Sequence, residues 1–156
     1  KTVRKDYSRY IYIAFKSYQW GEYDISLNYT NYIYNARQIN TIANLLGCIY
    51  YNKGDYDKAL SLFHDLNFIY EKNNVYVLCN IASCYRKKNS NNMAIRYLEK
   101  AKEIDDNNKL IYYNIASIYG DLGDKKLALE NIDKALSIDN DYNDAIKLKE
   151  YINDLD

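Results

Sequence analysis

The sequence predicts an all-α chain, an α-solenoid of four stacked helical hairpins covered by one further helix. Three observations predict it. A small residue recurs at a nearly fixed interval: Ala14, Gly47, Ala82 and Ala116 are 33, 35 and 34 residues apart. Around each, apolar residues fall at i, i+3, i+4 and i+7, the spacing of one helix face. The 156 residues include no proline and only five glycines, and proline is the residue that breaks helices. A period of this length marks units that bury their apolar faces only against their neighbours.

The elements follow in order. Residues 1–6, Lys-Thr-Val-Arg-Lys-Asp, are polar and read as a tail before the repeats. The first hairpin spans 7–39, with Tyr10, Ile13, Ala14 and Ser17 on one helix, Gly21 in the turn, and Ser26, Thr30 and Ile33 on the second helix. The second spans 40–74, with Ala43, Leu46, Gly47 and Tyr50, a Gly54-Asp55 turn, then Ala59, Phe63 and Leu66. The third spans 75–108, with Leu78, Ile81, Ala82 and Tyr85, then Ala94, Leu98 and Ala101. Its turn carries Asn89 instead of glycine, and asparagine is the residue next most at ease with positive φ. The fourth spans 109–142, with Tyr112, Ile115, Ala116 and Tyr119, Gly123 in the turn, then Ala128, Ile132 and Ala135. The Asn and Asp runs at 73–74, 105–108 and 139–141 stop one helix and cap the next. A last helix over 143–155 has Ala145, Leu148, Ile152 and Leu155 on one face and Asp144, Lys147, Lys149 and Asp154 on the other. That division suits a helix that covers the last hairpin and faces water. A glycine inside a helix costs about 1 kcal/mol relative to alanine, so Gly47 implies a close approach of two helices.

Composition narrows the function. Lys plus Arg equals Asp plus Glu, 21 against 21, which lacks the basic footprint of a nucleic-acid binder. No apolar run approaches the roughly 18 residues of a membrane span. No charged-then-apolar leader opens the chain. It begins with Lys1, which fits a processed protein or a piece of a larger one. Twenty tyrosines, with abundant Asn, Ile and Lys, read as an AT-rich coding bias that also supplies an aromatic recognition surface. Cys48, Cys79 and Cys84 lack metal-ligand spacing; they read as free, half-buried thiols in a reducing, cytoplasmic setting. Asp139, Asp141, Asn143 and Glu150 overlap a calcium-loop pattern, but Asp144 stands where that loop needs glycine. His64 is the lone histidine, on a second helix, and reads as a surface or half-buried side chain and not as a catalytic base. No cofactor, metal or catalytic residue is expected.

The residues quoted above resemble the tetratricopeptide repeat family. Tyr112, Ile115-Ala116, Tyr119, Gly123, Ala128, Ile132 and Ala135 follow its pattern, as do Leu46-Gly47, Tyr50, Gly54-Asp55-Tyr56, Ala59 and Phe63. The likeness runs from Tyr7 to the end. It departs where Gln38, Glu71, Asp106 and Asn140 replace the closing proline, and where Ser17 and Ser26 replace tyrosine and alanine. The resemblance implies a right-handed superhelix whose first helices line a concave groove, a scaffold that binds an extended peptide or a helix of another protein. By the family's groove positions, the binding residues are Phe15 and Tyr18; Asn44 and Tyr51; Asn80, Ser83 and Arg86; and Tyr113, Asn114 and Ser117, with Ile11, Cys48 and Cys79 beside them. Tyrosine gives contact area at low entropy cost, and asparagine can bond both groups of a peptide backbone. Asn80 matches the central asparagine of the family's clamp for chaperone carboxylates, but Leu110 and Asn114, or Ile11, stand at its cationic positions. That argues against the chaperone role. Arg86, Lys87 and Lys88, with Lys53, form a small basic group whose plain reading is a solvated helix end.

The reading is therefore a protein-interaction scaffold. Two alternatives stand beside it: a regulatory or substrate-presenting part of a larger enzyme, and a structural module that self-associates through its first hairpin. Eight of the twenty tyrosines fall within the first 34 residues, more than one core face can hold.

Overall fold

Each periodic segment becomes a helix in the computed structural model, which describes residues 6–70 and 74–154. Residues 1–5 of the polar tail, Glu71, Asn73 and Leu155 lie outside the described residues. Nine α-helices occur among the described residues: α1 (Ser8–Gln19), α2 (Tyr23–Ala36), α3 (Asn40–Asn52), α4 (Tyr56–Ile69), α5 (Val75–Lys87), α6 (Asn91–Ile104), α7 (Lys109–Asp121), α8 (Lys125–Ile138) and α9 (Asn143–Asn153). They gather into two compact units, Lys1–Tyr70 and Glu71–Asp156.

The turn inside every hairpin is built the same way. Gly21, Gly54 and Gly123 have φ of 76°, 81° and 75°, and Asn89 has φ of 58°. In each turn the next N–H reaches back five residues, Glu22 to Ser17, Asp55 to Tyr50, Ser90 to Tyr85 and Asp124 to Tyr119, at 2.8–2.9 Å. These bonds satisfy carbonyls that the ending helix leaves open. Asp55 and Asp124 then cap the second helix, their carboxylates accepting from the Lys58 and Leu127 N–H groups.

In the first unit α1 pairs with α2, α3 with α4, and α2 with α3. Its core holds Ala14, Ile33, Ile42, Leu45 and Ile49. Ser17 and Ser26 are buried, yet they are not errors of packing. The Ser26 hydroxyl donates to the Ala14 carbonyl at 2.7 Å, and Thr30 donates to the Ser26 carbonyl at 2.6 Å. The Ser26 hydroxyl thus ties α2 to α1 where alanine serves the later hairpins. Tyr10 departs from its expected place in the packing stripe: it is 37% exposed, standing among the Tyr7, Tyr29 and Tyr32 rings. In the second unit α5 pairs with α6 and α7 with α8, while α9 lies against α8 and α7. Ala82, Ala94 and Leu98 share one core; Ala116, Ala128, Ala145, Ile132 and Ile152 share another.

Gly47 confirms the close approach. A Cβ built on it would sit 2.6 Å from the Phe63 ring. Overpacking of this kind costs typically about 1–3 kcal/mol, against the roughly 1 kcal/mol that alanine gains in helix propensity. Gly47→Ala is expected to lower stability in urea unfolding. Gly47→Ala/Phe63→Leu, which reproduces the Ala82 and Leu98 combination of the third hairpin, is expected to recover most of the loss.

Candidate functional site

In the second unit the first helices α5 and α7 are knitted by polar groups. The Ser83 hydroxyl donates to Asn114 Oδ1 at 2.9 Å, and Asn114 Nδ2 donates to the Leu110 carbonyl at 2.8 Å. Arg86 Nε donates to Asp121 Oδ2 at 2.6 Å, with the arginine side chain mostly buried. The Ser117 hydroxyl donates to the Tyr113 carbonyl at 2.9 Å. Asn114 is only 6% exposed, and Ser117 is also buried. Both were expected on a binding face; the structure buries both, Asn114 bonded to Ser83 across the helix pair and Ser117 bonded within its own helix. Asn80 and Tyr113 are half-buried. The Tyr113 ring meets Tyr142 edge-on at 5.4 Å. Burial, followed by the nearby Asp144 carboxylate, pushes the Tyr142 hydroxyl well above its ordinary value.

In the first unit Phe15 and Tyr18 pack against the core. The Tyr18 hydroxyl accepts from Asn52 Nδ2 at 3.0 Å. Asn44 is half-buried, as is Tyr51, whose ring meets Tyr56 edge-on at 5.5 Å. Lys53 reaches Asp24 at 2.5 Å. The supposed basic group is thus partly neutralised within the fold, since Lys53 and Arg86 both have carboxylate partners. Cys79 and Cys84 are fully buried rather than half-buried.

Sequence reasoning missed Tyr76, Asn52, Asp121 and Tyr142. Tyr76 is 63% exposed and precedes Asn80 and Ser83 on one face of α5 at i, i+4, i+7. A signal existed for Asn52 and Asp121. They lie 34 and 35 residues after Tyr18 and Arg86, one repeat period, so the period itself pairs equivalent places on neighbouring first helices. Tyr142 belongs to no helix stripe, standing at the N-cap of α9. The overlap with a calcium loop has a plain account: the Asp139 carboxylate accepts the Asp141 N–H at 3.1 Å and pairs with Lys109, making a helix stop. Burial, partly countered by the Asp65 carboxylate, lowers the pKa of His64. No group of metal-ligating side chains occurs among the described residues, and no described helix is long and apolar enough to cross a membrane.

Burial also sets the alkaline behaviour. It raises Cys48 from 9.0 to about 11 and Cys79 to about 12. Burial likewise raises Tyr18 and Tyr112 from 10.0 to about 12. An unfolded chain releases these protons first, so raising the pH draws the equilibrium toward the unfolded state. Thermal melts are expected to be level between about pH 7 and 9 and to fall above that as unfolded thiols and then phenols ionise. Asn114→Ala is expected to cost about 1–3 kcal/mol in urea unfolding, the penalty for stranding a buried partner group.

Comparisons with known proteins agree with this architecture. Family models described as tetratricopeptide repeat match residues 43–66, 75–108 and 110–142. No curated protein matches the chain. Among solved structures, a thermophilic TPR protein of Thermus thermophilus gives a TM-score of 0.82 at 14% identity, over 94% of this chain and 81% of that one. The APC/C hetero-tetramer Cut9–Hcn1 gives 0.78 at 21% identity over 95% of this chain, which spans 30% of the other. The first TPR of Spaghetti (RPAP3), bound to an HSP90 peptide, gives 0.63 at 17% identity, over 74% of this chain and 91% of that one. At these identities the likeness is one of fold.

Proposed function

The chain belongs to the tetratricopeptide repeat family, and from that premise we propose that it is a protein-interaction scaffold whose first-helix faces take a peptide or helical segment of a partner. The family supports the coarse reading, since its repeats serve as binding modules and not as catalysts. One observation supports placing a contact on the second unit. Ser83–Asn114 and Arg86–Asp121 tie α5 to α7, which fixes the floor beside Tyr76, Asn80 and Tyr113. A pre-set surface loses less entropy on binding. Tyr76, 63% exposed, supplies aromatic area of the kind that dominates interfaces.

The occupant we propose is not an acidic C-terminal peptide. Leu110 packs against the apolar core and Asn114 is bonded within the seam, so neither supplies a cation to such a ligand. Phe15, Tyr18, Asn44 and Tyr51 are the corresponding proposal for the first unit.

The test is a pull-down from a lysate of the source organism, with wild type beside Tyr76→Ala/Asn80→Ala, read by mass spectrometry. Tyr76→Ala is expected to leave the melting temperature nearly unchanged, as surface changes usually do, and because Asn80 is half-buried the double variant is first checked for an intact helical spectrum. The expected result is a partner captured by wild type and reduced about tenfold or more by the double variant, a loss near 1.4 kcal/mol. Equal capture by both proteins would move the interface off α5.

A further inference from the structure

The first hairpin carries an open cup of about 350 Å³ lined by Tyr10, Asn28, Tyr29 and Tyr32. Its rings stand as walls and do not stack into one another. Tyr10 and Tyr32 have centroids 5.4 Å apart and planes 58° apart; Tyr10 and Tyr29 are 6.0 Å and 30° apart. The Tyr7 ring stands beside this cluster, 6.1 Å from Tyr32. The cup is exposed, with Tyr10 at 37% and Tyr32 at 42%.

The repeat itself says what such a place holds. Tyr10 and Tyr112 are 102 residues apart, three periods, and so are Tyr32 and Lys134. In the second unit Tyr112 is sealed to 6% exposure. It is sealed by the end of the preceding helix, α6. Lys102 places its ammonium 5.5 Å from the Tyr112 ring centroid, and the Tyr112 hydroxyl donates to Asp106 at 2.5 Å. Lys134 lies over the same ring at 5.6 Å. The chain therefore fills the equivalent place with cations. The cup's own cluster shows the same affinity, since the Arg37 guanidinium lies 5.3 Å over Tyr7. Tyrosine faces attract cations through the ring quadrupole, and the Asn28 amide adds a carbonyl acceptor at the margin.

We propose that the cup of Tyr10, Tyr29 and Tyr32 binds a lysine side chain carried on the end of a partner helix, seated as Lys102 is seated on Tyr112. Tyr10 then donates its hydroxyl to a carboxylate four residues after that lysine, as Tyr112 does to Asp106. This surface is separate from the α5 and α7 face, so either proposal can fail alone.

The probe is a blocked peptide of residues 102–106, Lys-Glu-Ile-Asp-Asp, titrated into the whole chain with labelled tyrosine rings and followed by NMR. Expected is a saturable shift of the Tyr10, Tyr29 and Tyr32 signals at millimolar peptide. A peptide with norleucine for the lysine is expected to bind about threefold to fivefold more weakly, the ratio of an exposed cation–π contact. Tyr32→Lys installs the residue that Lys134 represents in the fourth hairpin, so it suits the fold; with the melting temperature kept, it is expected to abolish the shifts. Equal binding of the norleucine peptide would overturn the proposal in favour of a merely apolar seat. So would tighter binding of tetramethylammonium than of the peptide, pointing to a free cation. Ring shifts that follow protein concentration alone would overturn it in favour of a second copy.

Discussion

Everything in this chain depends on how closely the two helices of a hairpin approach at one small residue. At Gly47 the neighbouring Phe63 ring leaves no room for a methyl group. The same place holds Ala14, Ala82 and Ala116, each buried. The larger partner shrinks as the small one grows: Phe63 serves with glycine, while Leu98 and Ile132 serve with alanine. This is volume conservation across a contact, the condition under which dense packing survives substitution. With that distance fixed, the turn must reverse the chain in few residues, and positive φ at Gly21, Gly54, Asn89 and Gly123 follows.

The fold was legible because it is local. A period near 34, a small residue per period and a glycine or asparagine per turn are readable from one sequence. Even Asn89, the exception, was intelligible from backbone sterics. The surface was less legible. Asn114 and Ser117 share the polarity of a recognition residue, and nothing in their identity tells solvent from seam. The burial of Asn114 arises from Ser83 across the helix pair, a pairing that helical periodicity within one segment does not express. Tyr10 illustrates the opposite failure. Its place in the stripe marks it as core, yet its neighbours are the Tyr7, Tyr29 and Tyr32 rings and it stays partly open.

Polar contacts in this chain do two kinds of work. The Ser26 and Thr30 bonds are buried and neutral; they replace apolar packing and resist salt. Lys53–Asp24 and Lys149–Asp133 lie nearer water and link separate helices. Exposed pairs of that kind contribute about 0–1 kcal/mol each and weaken as salt rises. They set the register between helices more than they set stability.

The placement of α9 has a consequence for growth. It lies on α7 and α8, with Ile152 within 3.3 Å of the Cβ position at Gly120, and turns Glu150 and Asp154 toward water. Any further helix laid along that side of α9 has to strip water from both carboxylates, a cost that apolar contact there must first offset.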